Sequence, residues 1–213
     1  TDDVNGYRQE GFARFDRNVH RGRRLSAARA YLHPVMHRPN LTVHTLSYAT
    51  RVLFEGKRAV GVEYARRGRG VNTLRAGEII LCGGAINSPQ LLQLSGVGPA
   101  TLLQSLGIQT VIDLPGVGGN LQDHLEVYVQ FACRQPVAVN PHISWFRKLG
   151  VGAEWLFRRT GIGATNHFEG GGFCRSNDAV DYPNLMFHFL PMAIRYDGTS
   201  PSEGLGYQVH VGP

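Results

Sequence analysis

The segment GGAINSPQLLQLSGVG, residues 83–98, constrains the fold of this chain more than any other. It follows EIILC at residues 78–82, an apolar run with the length and composition of a buried strand. Two glycines then take the chain out of the sheet, because glycine accepts unusual backbone angles and lets another group approach closely. A helix is expected to begin at Ser88, a suitable N-cap, with Pro89 at the first helical position, where a missing N–H costs nothing. Gly96 is placed to end that helix in the left-handed conformation. The free N–H groups and positive dipole end of such a helix favour a negative group. Strand, bare turn and helix start together suit an anionic or planar cofactor lying across the strand end, as in open α/β sheets. The same spacing also makes a tight turn that binds nothing, so spacing alone leaves both readings open.

Around this segment the pattern is mixed. Residues 1–24 show no period and read as loop, and residues 25–32 (LSAARAYL) as a helix capped by Ser26. Alternation at residues 41–46 predicts a strand, and residues 49–54, 58–65 and 71–75, joined by glycine turns, a β-meander. A second short helix opens near Pro99, carries Leu102, Leu103 and Leu106 on one side and ends at Gly107. Residues 111–114 lead into the glycine loop PGVGGN. Then the texture changes: a strand at 126–133, an aromatic-rich helix at 143–159, a loop at 164–172, a strand from Phe173 and an alternating strand at 185–190. The expected division is 1–127 and 128–213.

At 213 residues this is one large domain or parts of two. The formal charge of +6 comes from arginines scattered through glycine-rich text, with no recognition-helix or RNP pattern, so no nucleic-acid partner is expected. Three separated cysteines without a CxxC argue against a disulfide framework or zinc site and for a reducing compartment. His33 and His37 flank Pro34 without an HExxH pattern, so no metal is expected. No apolar run approaches the roughly 20 residues that span a bilayer, and no signal-like region opens the chain. It reads as an internal fragment from a cytoplasmic or peripherally membrane-associated protein of bacterial type.

The glycine segment resembles the second signature of the glucose–methanol–choline oxidoreductases: Gly-Ala, two residues, Ser-Pro, one residue, a Leu pair, two residues, Ser-Gly, an aliphatic residue and Gly. The likeness continues through LPGVGGNLQDH (114–124), RRLSAARAYL (23–32), RPNLTV (38–43) and FEGKRAVGVEY (54–64). NGYRQEGF near the start, GAEWLF (152–157) and NHFEGGGF (166–173) look most like the choline-oxidising members. The resemblance implies an α/β fold with α+β elements: part of a Rossmann-like FAD-binding domain with a β-meander, and part of a sheet-and-helix substrate domain. It implies FAD as cofactor and oxidation of a small alcohol, choline to betaine aldehyde, by hydride transfer to the flavin. The electron acceptor stays open. The family's N-terminal GxGxxG turn and C-terminal His/Asn (or His–His) pair are not in this sequence, so the fragment alone is expected to be inactive.

Residue by residue, the resemblance implies cofactor contacts at Ala49, Gly84, Ala85, Asn120 and His124. Asp123 beside His124 suggests a hydrolase pair, but no G-x-S-x-G elbow supports it. On the substrate side, Glu126 is expected to face the trimethylammonium group, with Trp145 and Phe146 as aromatic wall. His188 is expected at the alcohol oxygen, stabilising a developing alkoxide, and His167, with Glu169, at the entrance. Two rival readings are a dehydrogenase for a neutral aliphatic or aromatic alcohol and a non-catalytic flavin-fold binding module.

Overall fold

Twelve strands and three α-helices are distributed along the described residues. In chain order they are β1 (Gly11–Arg14), β2 (Val19–His20), β3 (Arg23–Arg24), β4 (Ser47–Glu55), β5 (Arg58–Arg66), β6 (Gly70–Arg75), α1 (Gly84–Leu94), β7 (Val97–Gly98), α2 (Ala100–Ser105), β8 (Ile112–Asp113), β9 (Val127–Ala132), α3 (Trp145–Arg158), β10 (Gly170–Cys174), β11 (Leu185–Leu190) and β12 (Gly206–Gly212). The computed structural model describes residues 1–135, 137–139, 144–194 and 205–213. They form two compact units, Thr1–Arg38 with His124–Pro213, and Pro39–Asp123. No helix among the described residues is long and apolar enough to cross a membrane.

In the Pro39–Asp123 unit, β4, β5 and β6 form the expected antiparallel meander. The helix after the glycine pair starts at Gly84, four residues before the expected Ser88 cap. Gly84 has φ +82°, and this left-handed residue turns the chain directly into the helix. Pro89 therefore lies inside α1 and withholds an N–H from the Ala85 carbonyl, while the Ser88 hydroxyl reaches back to accept the Gly83 N–H at 2.9 Å. Gly96 ends the helix as expected: its φ is +87°, and a Cβ there would stand 2.4 Å from the Gln109 carbonyl oxygen. The parallel pair β7–β8 follows, and Asp113 on β8 accepts the Ala100 N–H at 2.9 Å, capping α2 from across the pair. Of the three leucines expected on one side of α2, only Leu103 is buried.

Ser95 joins the two layers of this unit. Its buried hydroxyl accepts the Val52 N–H of β4 at 2.8 Å and donates to the Leu91 carbonyl of α1. Ser95→Ala leaves the buried Val52 N–H unpaired and is expected to cost about 1–3 kcal/mol. Urea unfolding measures this, and a loss below about 0.5 kcal/mol would show that the bond does not hold helix to meander.

The expected strands at 41–46 and 78–82 pair with nothing among the described residues, and Ile80 is 76% exposed. An apolar run becomes a strand only beside a partner that takes its N–H and C=O groups, and no described strand lies alongside these two.

The other unit is built on a five-stranded antiparallel sheet, order β1-β10-β11-β12-β9. Residues 1–24, read as loop, supply its edge strand β1 and the β2–β3 hairpin. β1 is short, and its partner β10 lies some 160 residues away (Gly11 opposite Phe173), so no local period announces it. This pairing groups the first 38 residues with the C-terminal part, whereas the expected division kept 1–127 together. The Ser26 hydroxyl does accept the Arg29 N–H (3.3 Å), but the helix it starts is a π-turn, Ala28–Leu32, running into a 3-10 turn at His33–Val35. Pro34 lies in that second turn. α3 realises the aromatic helix; Ile143, where it was expected to start, lies outside the described residues. Trp155 of α3 donates its indole N–H to the Gly22 carbonyl at 2.7 Å, tying α3 to the β2–β3 turn.

β10 starts at Gly170, earlier than the expected Phe173. A Cβ on Gly171 would lie 2.0 Å from the Phe187 carbonyl oxygen and 2.4 Å from the Phe15 ring. The bare strand is what lets Phe15 lie against the sheet next to His188, the residue opposite Gly171.

Candidate active site

In the Pro39–Asp123 unit a cavity of about 370 Å³ lies between the meander and α1. Tyr48, Ala49 and Val62 form one side, and Cys82, Gly83, Ser88 and Leu91 the other. Ala49 sits at a register shift in β4, so the expected contact residue lines the cavity at an irregularity of the ladder. Gly84 and Ala85 open α1 next to Gly83 but do not themselves line the cavity, and the first turn carries no acidic side chain. An apolar slot beside the bare Gly83 backbone and the N–H groups of a helix start fit part of a flavin dinucleotide: a ring against the wall, a negative group at the helix start. Asn120, exposed and at φ +54° in the glycine loop, does not line this cavity.

The other unit holds a smaller cavity, about 230 Å³, lined by His124, Glu126, Phe168, Met186, His188 and His210 with Gly212 and Pro213. The sheet builds it. His188 on β11 is directly opposite His210 on β12, which is directly opposite Tyr128 on β9, so the three share one face. Glu126 immediately precedes β9, and its Oε1 lies 2.9 Å from His210 Nδ1. The His210 side chain is buried, whereas that of Glu126 is 40% exposed. Phe168 meets His188 and His210 edge to face, with centroids at 6.0 and 6.3 Å.

His188 Nε2 is buried and has no hydrogen-bond partner among the described residues. A polar atom taken out of water without a partner is costly. Burial holds the His188 ring below the ordinary imidazole range; Glu126 opposes this, and His210 and His124 add to it.

His124 was expected among the cofactor contacts. The structure places it in the wall of the Glu126 cavity, just past the point where the chain passes from one unit to the other between Asp123 and His124.

The loop before β10 is held from behind. Glu169 accepts hydrogen bonds from Thr165 and Arg17, and the Arg17 guanidinium also donates to Thr165 at 2.9 Å. The Thr165 hydroxyl, then Arg17 and Arg14, keep the Glu169 carboxyl below its usual range against the effect of burial. This anchoring places Phe168, not His167, in the cavity wall. His167 has φ +69° and donates its N–H to Thr165 Oγ1 at 3.2 Å; burial lowers its ring below the ordinary range, opposed by Glu169. Trp145 and Phe146 occupy the first turn of α3, 72% and 84% exposed, and do not line the cavity. The aromatic face there belongs to Phe168. Sequence reasoning missed Phe168, Gln208 and His210, although the alternation of two polar residues in YQVHV marks one face of a strand.

Residues 1–126, more than half of the chain, match the family model described as GMC oxidoreductase. The chain belongs to the GMC oxidoreductase family. It is 59% identical over all 213 residues to an oxygen-dependent choline dehydrogenase of Staphylococcus aureus (strain JH9), and spans 37% of that protein's length. Among solved structures, it resembles the pyridoxine 4-oxidase from Mesorbium loti with a TM-score of 0.75 and 29% identity, covering 95% of this chain and 36% of that one. It also resembles a formate oxidase with a TM-score of 0.79 at 22% identity, over 91% of this chain and 38% of that one, a likeness of fold. The mixed strand-and-helix architecture is thus that of a GMC flavoenzyme, a family whose cofactor is FAD.

Proposed function

We propose that this chain serves an FAD-dependent oxidation of choline to betaine aldehyde, with the Glu126 cavity receiving the substrate. One observation carries the reading: a half-exposed carboxylate and an unpartnered buried imidazole nitrogen line the same small cavity. A quaternary ammonium has no N–H to donate, so its recognition needs a carboxylate and an aromatic face, which Glu126 and Phe168 supply. The alcohol end needs a polar partner, which His188 Nε2 supplies; with its proton on that nitrogen the ring donates to the oxygen as negative charge develops. A cavity of about 230 Å³ is smaller than the roughly 300–1,000 Å³ of sites for drug-sized ligands and suits a small alcohol. Ala49, Gly84, Ala85 and Asn120 are proposed to face the dinucleotide. FAD, when bound, supplies the hydride acceptor. The 59% identity to a protein named choline dehydrogenase supports choline over other alcohols.

The test compares choline with its neutral carbon isostere, 3,3-dimethylbutan-1-ol, on the full-length enzyme. A kcat/KM preference for choline of about tenfold or more is expected. Parity would overturn the choline reading and favour the neutral-alcohol alternative, to which the apolar Phe168 and Met186 walls also lend themselves.

The His188 environment sets a pH dependence. Because its folded value is lowered, the unfolded chain takes up this proton more readily than the folded one. Stability is therefore full above the ordinary imidazole range and falls as pH drops from there toward the folded value. Charging the ring also places a second cation in the cavity, so choline kcat/KM is expected to fall as pH drops through the lowered folded value, at the acid end of that window. A kcat/KM–pH profile checks this: the limb disappears in His188→Asn, and its persistence there would assign it to another group.

A further inference from the structure

We propose that His210, held in one tautomer by Gln208, is a positioning residue that fixes the Glu126 carboxylate and thereby the site's preference for a cationic substrate. The inference rests on the headgroup role of Glu126 given above. It starts from an anomaly in β12, whose inward face carries Gln208 and His210 rather than apolar side chains, both essentially out of water. Burying such groups is unfavourable unless each finds a partner, and their partners form a directed chain.

The Ile194 N–H points at Gln208 Oε1 at 3.0 Å. A backbone N–H can only donate, so the atom facing it is the amide oxygen. Gln130, opposite Gln208 on β9, agrees: its Nε2 donates to the Ile194 carbonyl at 2.7 Å and to the same Oε1 at 3.0 Å. Gln208 Nε2 therefore faces His210 Nε2. An amide nitrogen can only donate, so this ring nitrogen accepts and the ring proton resides on Nδ1. Nδ1 is the atom 2.9 Å from Glu126 Oε1. Tyr128 lies tilted against the ring at 5.8 Å, and Phe168 meets it edge to face. A glutamate before a strand would ordinarily sample several rotamers. Here a buried donor whose own orientation is set by the sheet holds one carboxylate oxygen, in the wall of the cavity the carboxylate lines.

The experiment uses the full-length holoenzyme and the same pair of substrates. His210→Leu is expected to raise the choline KM by about tenfold, with a smaller effect on kcat and on the neutral isostere. His210→Asn, whose amide N–H falls near the Nδ1 position, is expected to recover most of that loss. Gln208→Leu, which keeps apolar volume but frees the ring tautomer, is expected to fall between them. In a Glu126→Gln background the His210 variants should add little, because the two residues act as one unit. Equal losses for both substrates, or Asn no better than Leu, would reduce His210 to packing and overturn the proposal. If Glu126→Gln abolishes the choline preference while Gln208→Leu and the His210 variants keep it, this inference fails and the headgroup reading survives. If Glu126→Gln itself leaves the preference intact, the headgroup reading fails first. Should His210→Leu yield no flavin-loaded protein, Asn and Gln208→Leu carry the comparison: choline preference at the native level in both would overturn the proposal.

Discussion

Glu126→Gln in the full-length enzyme is expected to raise the choline KM by about thirty-fold, some 2 kcal/mol, the lower end of the cost of removing one partner from a close, desolvated charge pair. The substitution keeps the size of the side chain and removes only its charge. The cation is equally charged before and during reaction at its distant carbon, so the loss should fall on KM far more than on kcat. The neutral isostere should barely register the change. Glu126 suits this role because its carboxylate is half exposed to a small cavity while a buried imidazole holds it from behind. A choline KM within about twofold of the unsubstituted enzyme would remove Glu126 from headgroup recognition.

Gly171→Val is the second large expectation, and it joins fold to site. At this position even a Cβ would stand 2.0 Å from the Phe187 carbonyl oxygen and 2.4 Å from the Phe15 ring, and the first of these is backbone that cannot swing away. The strand must shift or Phe15 must leave the sheet, at a cost of about 3 kcal/mol or more. Phe15 packs edge-on against His188 at 6.0 Å, and His188 is the register partner of Gly171. The substitution should therefore lower the urea midpoint and also weaken catalysis in the protein that remains folded. Unchanged stability together with unchanged kcat/KM would mean that the close approach at Gly171 is unimportant.

What could be read before the structure follows the range of the interactions. The meander, α2, the Gly96 terminator and the alternation of β11 are set by neighbours in sequence, and each was legible. The start of α1 was misplaced because serine before proline resembles a cap so closely, while the left-handed Gly84 four residues earlier does the turning. The edge strand β1 was invisible because its partner lies at the other end of the chain. The same contrast runs through the site. Glu126 and His188, expected from the resemblance, do meet at one cavity. Trp145 and Phe146 do not, because helical aromatics say nothing about which surface they face; the phenyl ring in that cavity wall is Phe168. Gln208 and His210 escaped because polar residues on a strand normally signal the solvent face; only the pairing of β12 between β9 and β11 shows that theirs is the inner one.

The most direct measurement is a crystal structure of the full-length flavoenzyme with glycine betaine, an unreactive trimethylammonium ligand. The account predicts density for the ligand on the β9–β12–β11 sheet, its ammonium between the Glu126 carboxylate and the Phe168 ring and its oxygen end toward His188 Nε2. A ligand bound elsewhere, or bound here with its ammonium turned away from Glu126, would contradict it.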